Sequence, residues 1–196
     1  LLLGCLTGQR GGDLLNITED NFTHIEGLEY VQVKQKKTGK IVKIPIKGIL
    51  EEINEIRANG LPYKISIQKF DQYIKQVCKL ASINELIEHS KVCMVDDKGN
   101  IIEQDDNGNY TSKGVKRTVK GVFEKWQLVG THTCRRSFAT NLYGKLETVF
   151  IMKMTGHTKE STFLAYIGKT EMDYLTQTAN KLQELEQVNK PMLANY

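Results

Sequence analysis

From Thr131 onward the apolar residues recur at helical spacing in four short segments, 132–144, 147–155, 160–168 and 170–188, separated by short breaks. Helices as short as the first three are marginal alone in water, so they must share a core with other elements. The last segment carries Leu175, Thr178, Leu182 and Leu185 at heptad-like spacing. Such a narrow stripe either packs on the domain's own core or docks on a neighbouring subunit. No run of about 18 apolar residues occurs, which argues against a membrane span.

The first half supplies partners for those helices. Leu2, Leu3 and Leu6, then Leu14 and Leu15, flank Thr7-Gly8 and Gly11-Gly12, which predicts a helix, a tight turn at Gly8 and a second helix from near Arg10. Residues 30–34 and 42–46 alternate apolar with polar side chains as half-buried strands do, and Gly39 turns the chain between them. Pro45 suits an edge strand or a strand end. Ile49, Leu50, Ile53 and Ile56 mark one helical face, ending at Asn59-Gly60 before Pro62; Phe70, Tyr73, Ile74 and Val77 mark another. Residues 91–118 lose this periodicity and contain Asp97-Lys98-Gly99-Asn100 and Asp106-Asn107-Gly108-Asn109, which predicts an irregular or hairpin-forming insertion. An EF-hand is excluded there, because no Glu falls at the twelfth loop position. The expected fold class is α+β, mainly α-helical, with a small antiparallel β-sheet near the N-terminus.

A length of 196 residues fits one well-filled domain or at most two small ones. The net charge of +4 permits nucleic-acid binding without demonstrating it, so what matters is whether the cations converge. Cys5, Cys78, Cys93 and Cys134 form no Cys-x-x-Cys pair, and reduced intracellular thiols are expected. The opening Leu1-Leu2-Leu3-Gly4-Cys5 lacks the basic lead-in of a signal peptide, and the chain reads as a fragment whose natural start lies upstream.

Four strings carry chemistry together. Thr7-Gly8-Gln9-Arg10 comes first, with Asp13 three positions on. Lys37-Thr38-Gly39 follows at the hairpin tip. His132-Thr133-Cys134-Arg135 opens the helical half, and Thr155-Gly156-His157 precedes Tyr166 by nine residues. In this order and spacing they resemble the boxes of tyrosine recombinases, the first arginine, the β-hairpin lysine, the His-x-x-Arg helix and the Gly-His with its nucleophile. Phe163, Tyr166 and Phe123-Glu124-Lys125-Trp126 further resemble integrases of phages and mobile elements of Bacteroides-type bacteria. The resemblance spans essentially the whole chain. It implies that 1–196 is a catalytic domain with the tyrosine-recombinase catalytic fold, lacking an upstream core-binding domain, with 91–118 as an insertion and 170–196 as a C-terminal helix and tail.

The implied reaction is metal-free and cofactor-free transesterification at a DNA phosphate through a 3′-phosphotyrosine. Charge builds on the non-bridging oxygens in the transition state. Arg10 and Arg135 suit it because guanidinium stays ionised and binds phosphate bidentately, and His157 adds a hydrogen bond. Tyr166 is the implied nucleophile. A phenol ionises near pH ~10, so neighbouring cations are expected to favour its phenolate, with His132 as general base. Lys37 is the implied acid for the departing 5′ oxygen, with Lys34, Lys36 and Lys40 close by. Asp13 either orients the Arg10 guanidinium or forms a plain surface salt bridge. Arg136 faces elsewhere on its helix and is expected to hold a phosphate or an acidic neighbour.

Gln9 departs from the leucine usual before the first arginine, and Gly11-Gly12 loosens the following turn. The partners implied are double-stranded DNA and, for a full-length protein, a homotetramer on DNA whose subunit contact is made by 170–196. The expected location is the cytoplasm of a bacterial cell, on the nucleoid, with no membrane association. Two other readings compete: relaxation of supercoils by a type IB topoisomerase-like enzyme, and a DNA-binding module with a degenerate site. A helical protein-interaction domain explains none of the boxes.

Overall fold

The computed structural model describes residues 1–105, 109–168 and 170–193. Part of the expected Asp106–Gly108 turn and the last three residues of the 170–196 tail lie outside them. Helix α1 (Leu2–Thr7) stops where Gly8 turns left-handed, at φ 64, and Arg10 leads into the one-turn helix α2 (Gly11–Leu14). Gly8 is required twice over. Its φ disfavours any side chain, and a Cβ there would lie 2.4 Å from Phe138 Cδ1. Gly8→Ala is therefore expected to cost about 2–4 kcal/mol of unfolding free energy, from strain plus overpacking. Gly27→Ala, at φ 78 with open space around it, should lose only the strain, about 1–2 kcal/mol. Urea titration of both variants checks this, and equal losses would mean that Phe138 yields freely.

A 3₁₀ turn (Glu19–Asn21) leads into a three-stranded antiparallel sheet, β1 (Phe22–Ile25), β2 (Leu28–Lys34) and β3 (Ile41–Pro45), in the order β1-β2-β3. Strands β2 and β3 match the alternation in the sequence. Val31 faces Ile44 and Val33 faces Val42, all four buried on one side. Pro45 ends the edge strand β3, where its missing N–H disturbs least. Strand β1 was not expected. Its two-residue turn is Glu26-Gly27, at φ 52 and 78, and the left-handed Glu is not a usual hairpin signal.

Helices α3 (Glu52–Ala58) and α4 (Ile67–Leu80) follow. Ile49 lies in a 3₁₀ turn (Gly48–Leu50) ahead of α3 and is 65% exposed, so it is not on the buried face the spacing suggested. Helix α4 buries Phe70, Ile74 and Cys78, while Tyr73 and Val77 flank that line. The irregular or hairpin-forming stretch expected at 91–118 lies within a longer pair of strands. Strands β4 (Leu86–Val95) and β5 (Val115–Glu124) form a two-stranded antiparallel ribbon, a second sheet separate from the first. Most of its side chains face solvent, so the sequence carries no clear alternation there.

The helical half runs through α5 (Lys125–Leu128), α6 (Thr131–Leu142), α7 (Thr148–Thr155), α8 (Glu160–Ile167) and α9 (Glu171–Leu193). Asp71 of α4 accepts from the Thr131 N–H at 3.1 Å and so fixes the start of α6. The main core joins α1, the three-stranded sheet, α3, α4 and α6 to α8; Cys93, Val95 and Phe123 form a small second core on the ribbon. Leu175, Leu182 and Leu185 of α9 are each more than half exposed and do not pack on the domain's core. Among the described residues no helix is long and apolar enough to cross a membrane.

Candidate active site

Among the described residues the most deeply buried charged side chain is a cation. Arg135 of α6 is 1% exposed. Its Nη1 donates to the Gly8 carbonyl at 2.8 Å, and its Nη2 donates to the Thr155 carbonyl. These carbonyls stand at the ends of α1 and α7, where helix geometry leaves oxygens without intrahelical partners and the helix dipoles are negative. The guanidinium thus fastens two helix ends together and stays fixed. Burial, followed by the nearby Arg10, pulls its pKa down to about 10, while Tyr166 and Asp13 act the other way. It remains a cation at neutral pH.

Arg10 approaches from the α1–α2 turn and is half-buried. Its Nη1 donates to Gln35 Oε1 at 3.0 Å. Gln35, at the end of β2, is fully buried and belongs to a closed network. Its Nε2 donates to Gln9 Oε1 and to the Thr155 carbonyl, each at 3.0 Å, and its Oε1 also accepts from Thr38 Oγ1 at 3.0 Å. Gln9 in turn donates from Nε2 to the carbonyls of Thr7 and Met154. This explains the departure at position 9: a leucine there would leave Gln35 and the Met154 carbonyl short of partners in a buried setting. Gln35 also sits against Gly156, where a Cβ would come within 2.4 Å of its Oε1. No motif in the sequence marks Gln35.

Gly156 ends α7 at φ 76 and delivers His157 to the cluster. The ring packs on Phe163 and Tyr166, each 5.4 Å away between centroids. Thr155 Oγ1 donates to the Ile151 carbonyl at 2.7 Å and lies 2.8 Å from His157 Nδ1. Assigning the single hydroxyl proton to the Ile151 carbonyl, which can only accept, makes His157 Nδ1–H the donor in the second contact. The neutral ring therefore carries its free lone pair on Nε2. Burial first, then Arg135 and Arg10, lowers the His157 pKa to about 4.

Tyr166 lies one residue before the end of α8, half-buried. Its hydroxyl donates to the backbone carbonyl of His132 at 3.3 Å. The His132 residue is itself exposed, so backbone rather than imidazole meets the phenol. Burial raises the Tyr166 pKa above the ordinary phenol value, and Arg135, Arg136 and Arg10 only partly offset it. The expectation that neighbouring cations favour the phenolate thus holds for the direction of their effect but not for the balance. Arg136, which the sequence left outside the cluster, has its guanidinium carbon 5.9 Å from the centre of the Tyr166 ring.

Asp13 is 5% exposed, and its Oδ1 accepts from the Lys36 N–H at 2.9 Å. It therefore tethers the β2–β3 turn, and the partner of Arg10 is Gln35, so neither expectation for Asp13 describes this hydrogen bond. Lys37 stands exposed on that turn, held from both sides through Lys36 and Thr38. The structure thus gathers Arg10, Arg135, His157 and Tyr166 into one electrostatically linked group. It leaves Lys37 on an adjacent tethered turn and brings His132 in through its carbonyl.

The group lies outside two cavities among the described residues. One, of about 250 Å³, is apolar and lies between α1, α2 and α4; the other, of about 210 Å³, lies between Tyr143 and α9. Among the described residues no group of three or more His, Cys, Asp or Glu is placed to hold a metal.

No family model and no curated protein matches the chain. Among solved structures it is similar to XerH site-specific recombinase bound to difH substrate in a pre-cleavage complex, with a TM-score of 0.49 and 16% identity over 89% of this chain and 43% of that one. It is also similar to XerH bound to palindromic difH substrate in a post-cleavage complex, with a TM-score of 0.47 and 17% identity over 94% of this chain and 42% of that one. The chain spans less than half the length of either recombinase chain.

Proposed function

We propose that residues 1–196 form the catalytic domain of a site-specific recombinase that cuts and rejoins duplex DNA through a phosphotyrosine at Tyr166. One observation carries this reading: two arginines and a histidine from three separated parts of the chain meet around one tyrosine. Tyr166 attacks the phosphorus, the new bond being P–O(Tyr), while the P–O5′ bond breaks and the 5′ oxygen leaves with a proton. Attack by a 5′ hydroxyl on the phosphotyrosine reverses these steps and joins the strands.

Arg135 still has three N–H groups after serving its two carbonyls, and Arg10 has four after serving Gln35. Those donors suit the non-bridging oxygens. Donors held in place before reaction are typically worth about 3–4 kcal/mol each in the transition state. Lys37 is the acid for the leaving oxygen, reaching in from its tethered turn, and the exposed His132 imidazole serves as base only after turning toward the phenol in place of its carbonyl. The hydrogen bond of Tyr166 to the His132 carbonyl must break for the phenol to reach phosphorus.

His157 has its own requirement. With Nδ1–H committed to Thr155, its Nε2 donates to a phosphate only after gaining a proton, which a phosphate anion favours and the two arginines oppose. The ring pKa is expected to rise from about 4 by roughly one unit or more when duplex binds. A group whose pKa is higher in the complex makes binding tighter as pH falls between the two values. Ring C–H chemical shifts followed by NMR with and without duplex check this; an unchanged midpoint would mean that Nε2 stays an acceptor.

The overall reading is tested by covalent trapping. Nicked duplexes carrying candidate attachment sites are incubated with the protein and a chelator, then denatured. The expected product is a protein–DNA adduct whose modified peptide contains Tyr166. Bound duplex without adduct would turn the reading toward a DNA-binding module.

A further inference from the structure

We infer that the β4–β5 ribbon is a second DNA-contacting element, laid against the duplex along β5 and separate from the tyrosine cluster. The inference rests on duplex DNA being the domain's substrate. The ribbon pairs ten residues on each strand, from Leu86 opposite Glu124 to Val95 opposite Val115. At ~3.4 Å per residue that is a length of roughly 30 Å. It leaves the body one short helix, α5, ahead of the helix that carries His132 and Arg135. Its root is clamped there, with Lys125 N donating to the Glu85 carbonyl at 2.8 Å and Trp126 N to the Ile83 carbonyl at 3.0 Å.

The register divides the ribbon into two faces. One carries its small core, Cys93, Val95 and Phe123. The other sets Lys116 opposite Met94, Thr118 opposite Val92, Lys120 opposite Ser90 and Val122 opposite Glu88. Val92 and Val122 are each 63% exposed, and Lys116, Thr118 and Lys120 are exposed with them. Arg117 is exposed beside Cys93 on the core face. From Val115 to Phe123 the strand has three cations and no carboxylate. Among the described residues none of Lys116, Arg117 and Lys120 has an ion pair.

An isolated two-stranded ribbon is marginal in water, and clustered like charges weaken it further. A polyanion removes that penalty. The major groove of B-DNA, about 12 Å wide, admits a two-stranded ribbon. Lys116 and Lys120 then reach phosphates, and Ser90, Thr118 and the two valines face the groove floor. The far end of the ribbon carries Asp97 and Glu103, so contact runs along β5 rather than through the tip.

The test compares wild type with Lys116→Ser/Arg117→Ser/Lys120→Ser and with a control that removes equal charge elsewhere, Lys47→Ser/Lys64→Ser/Lys145→Ser. Anisotropy of a fluorescein-labelled mixed-sequence duplex of about 30 base pairs is read between about 50 and 200 mM salt. The ribbon variant should bind about 10- to 100-fold more weakly, and its slope of log K against log salt should fall by about 2, near 0.9 per lost phosphate contact. The control should lose under half of that. A ribbon variant indistinguishable from the control, or a wild type that binds no duplex, overturns the inference. Trapping on the same proteins separates the two readings. An adduct with unchanged binding in the ribbon variant sinks the ribbon and keeps the chemistry. Ribbon-dependent binding without any adduct does the reverse.

Discussion

Tyr166→Phe is expected to abolish the covalent adduct while leaving the fold and duplex affinity nearly intact. The hydroxyl's hydrogen bond to the His132 carbonyl is long, at 3.3 Å, and lies at the surface. Its loss should cost less than about 1 kcal/mol of stability. The ring keeps its packing on His157 and its place beneath Arg136. Removing the attacking oxygen, by contrast, leaves nothing to form the P–O bond. Tyr143 and Tyr174 are the competing nucleophiles, and they pack on each other with ring centres 6.2 Å apart. Burial raises the Tyr143 pKa, with Tyr174 adding to the rise. Tyr143→Phe and Tyr174→Phe should therefore still form adduct, and an adduct surviving in Tyr166→Phe would mean a different nucleophile. Because burial holds the Tyr166 phenol above its usual value, wild-type single-turnover cleavage should also quicken as pH rises from about 7 to 9.

What the sequence disclosed follows from how local each feature is. A Gly with positive φ next to a functional residue leaves a short signature, so Gly8 before Arg10 and Gly156 before His157 were readable. The His132–Arg135 spacing was readable for the same reason, being one turn of one helix. Gln35 was not, because its partners Gln9, Arg10 and Thr155 come from two distant stretches and only the folded chain joins them. The Asp13 contact was not local either: helical spacing pointed to Arg10, and the carboxylate accepts from the Lys36 N–H across a turn. His132 shows a further limit, since its identity suggested an imidazole at the phenol and the contact is made by a backbone oxygen any residue would supply. Strand β1 and the full ribbon were missed where half-exposed or exposed strands lack an apolar period. Helix α9 kept its stripe in the structure but not the packing that a stripe usually implies.

Arg135 and Arg10 should separate catalysis from architecture. Replacing either by Ala removes transition-state donors, and single-turnover cleavage should fall by about 10²–10³ in each case. Their effects on stability should differ widely. Arg10 is half-buried and makes one hydrogen bond to Gln35, so Arg10→Ala should cost about 1 kcal/mol. Arg135→Ala leaves the Gly8 and Thr155 carbonyls buried without that partner and opens a cavity at a site only 1% exposed. Relief of the burial penalty on the cation offsets part of this, and a loss of about 2–5 kcal/mol remains. Against a total stability of roughly 5–15 kcal/mol, that is enough to unfold a substantial fraction at body temperature. Arg135→Lys keeps the charge but has one ammonium for two diverging carbonyls, so it should recover part of the stability and little of the rate. Chemical unfolding and cleavage measured at low temperature, on protein verified as folded, keep the two effects apart. Equal stability losses for Arg10→Ala and Arg135→Ala would mean that the tie between the ends of α1 and α7 is not what holds the cluster in shape.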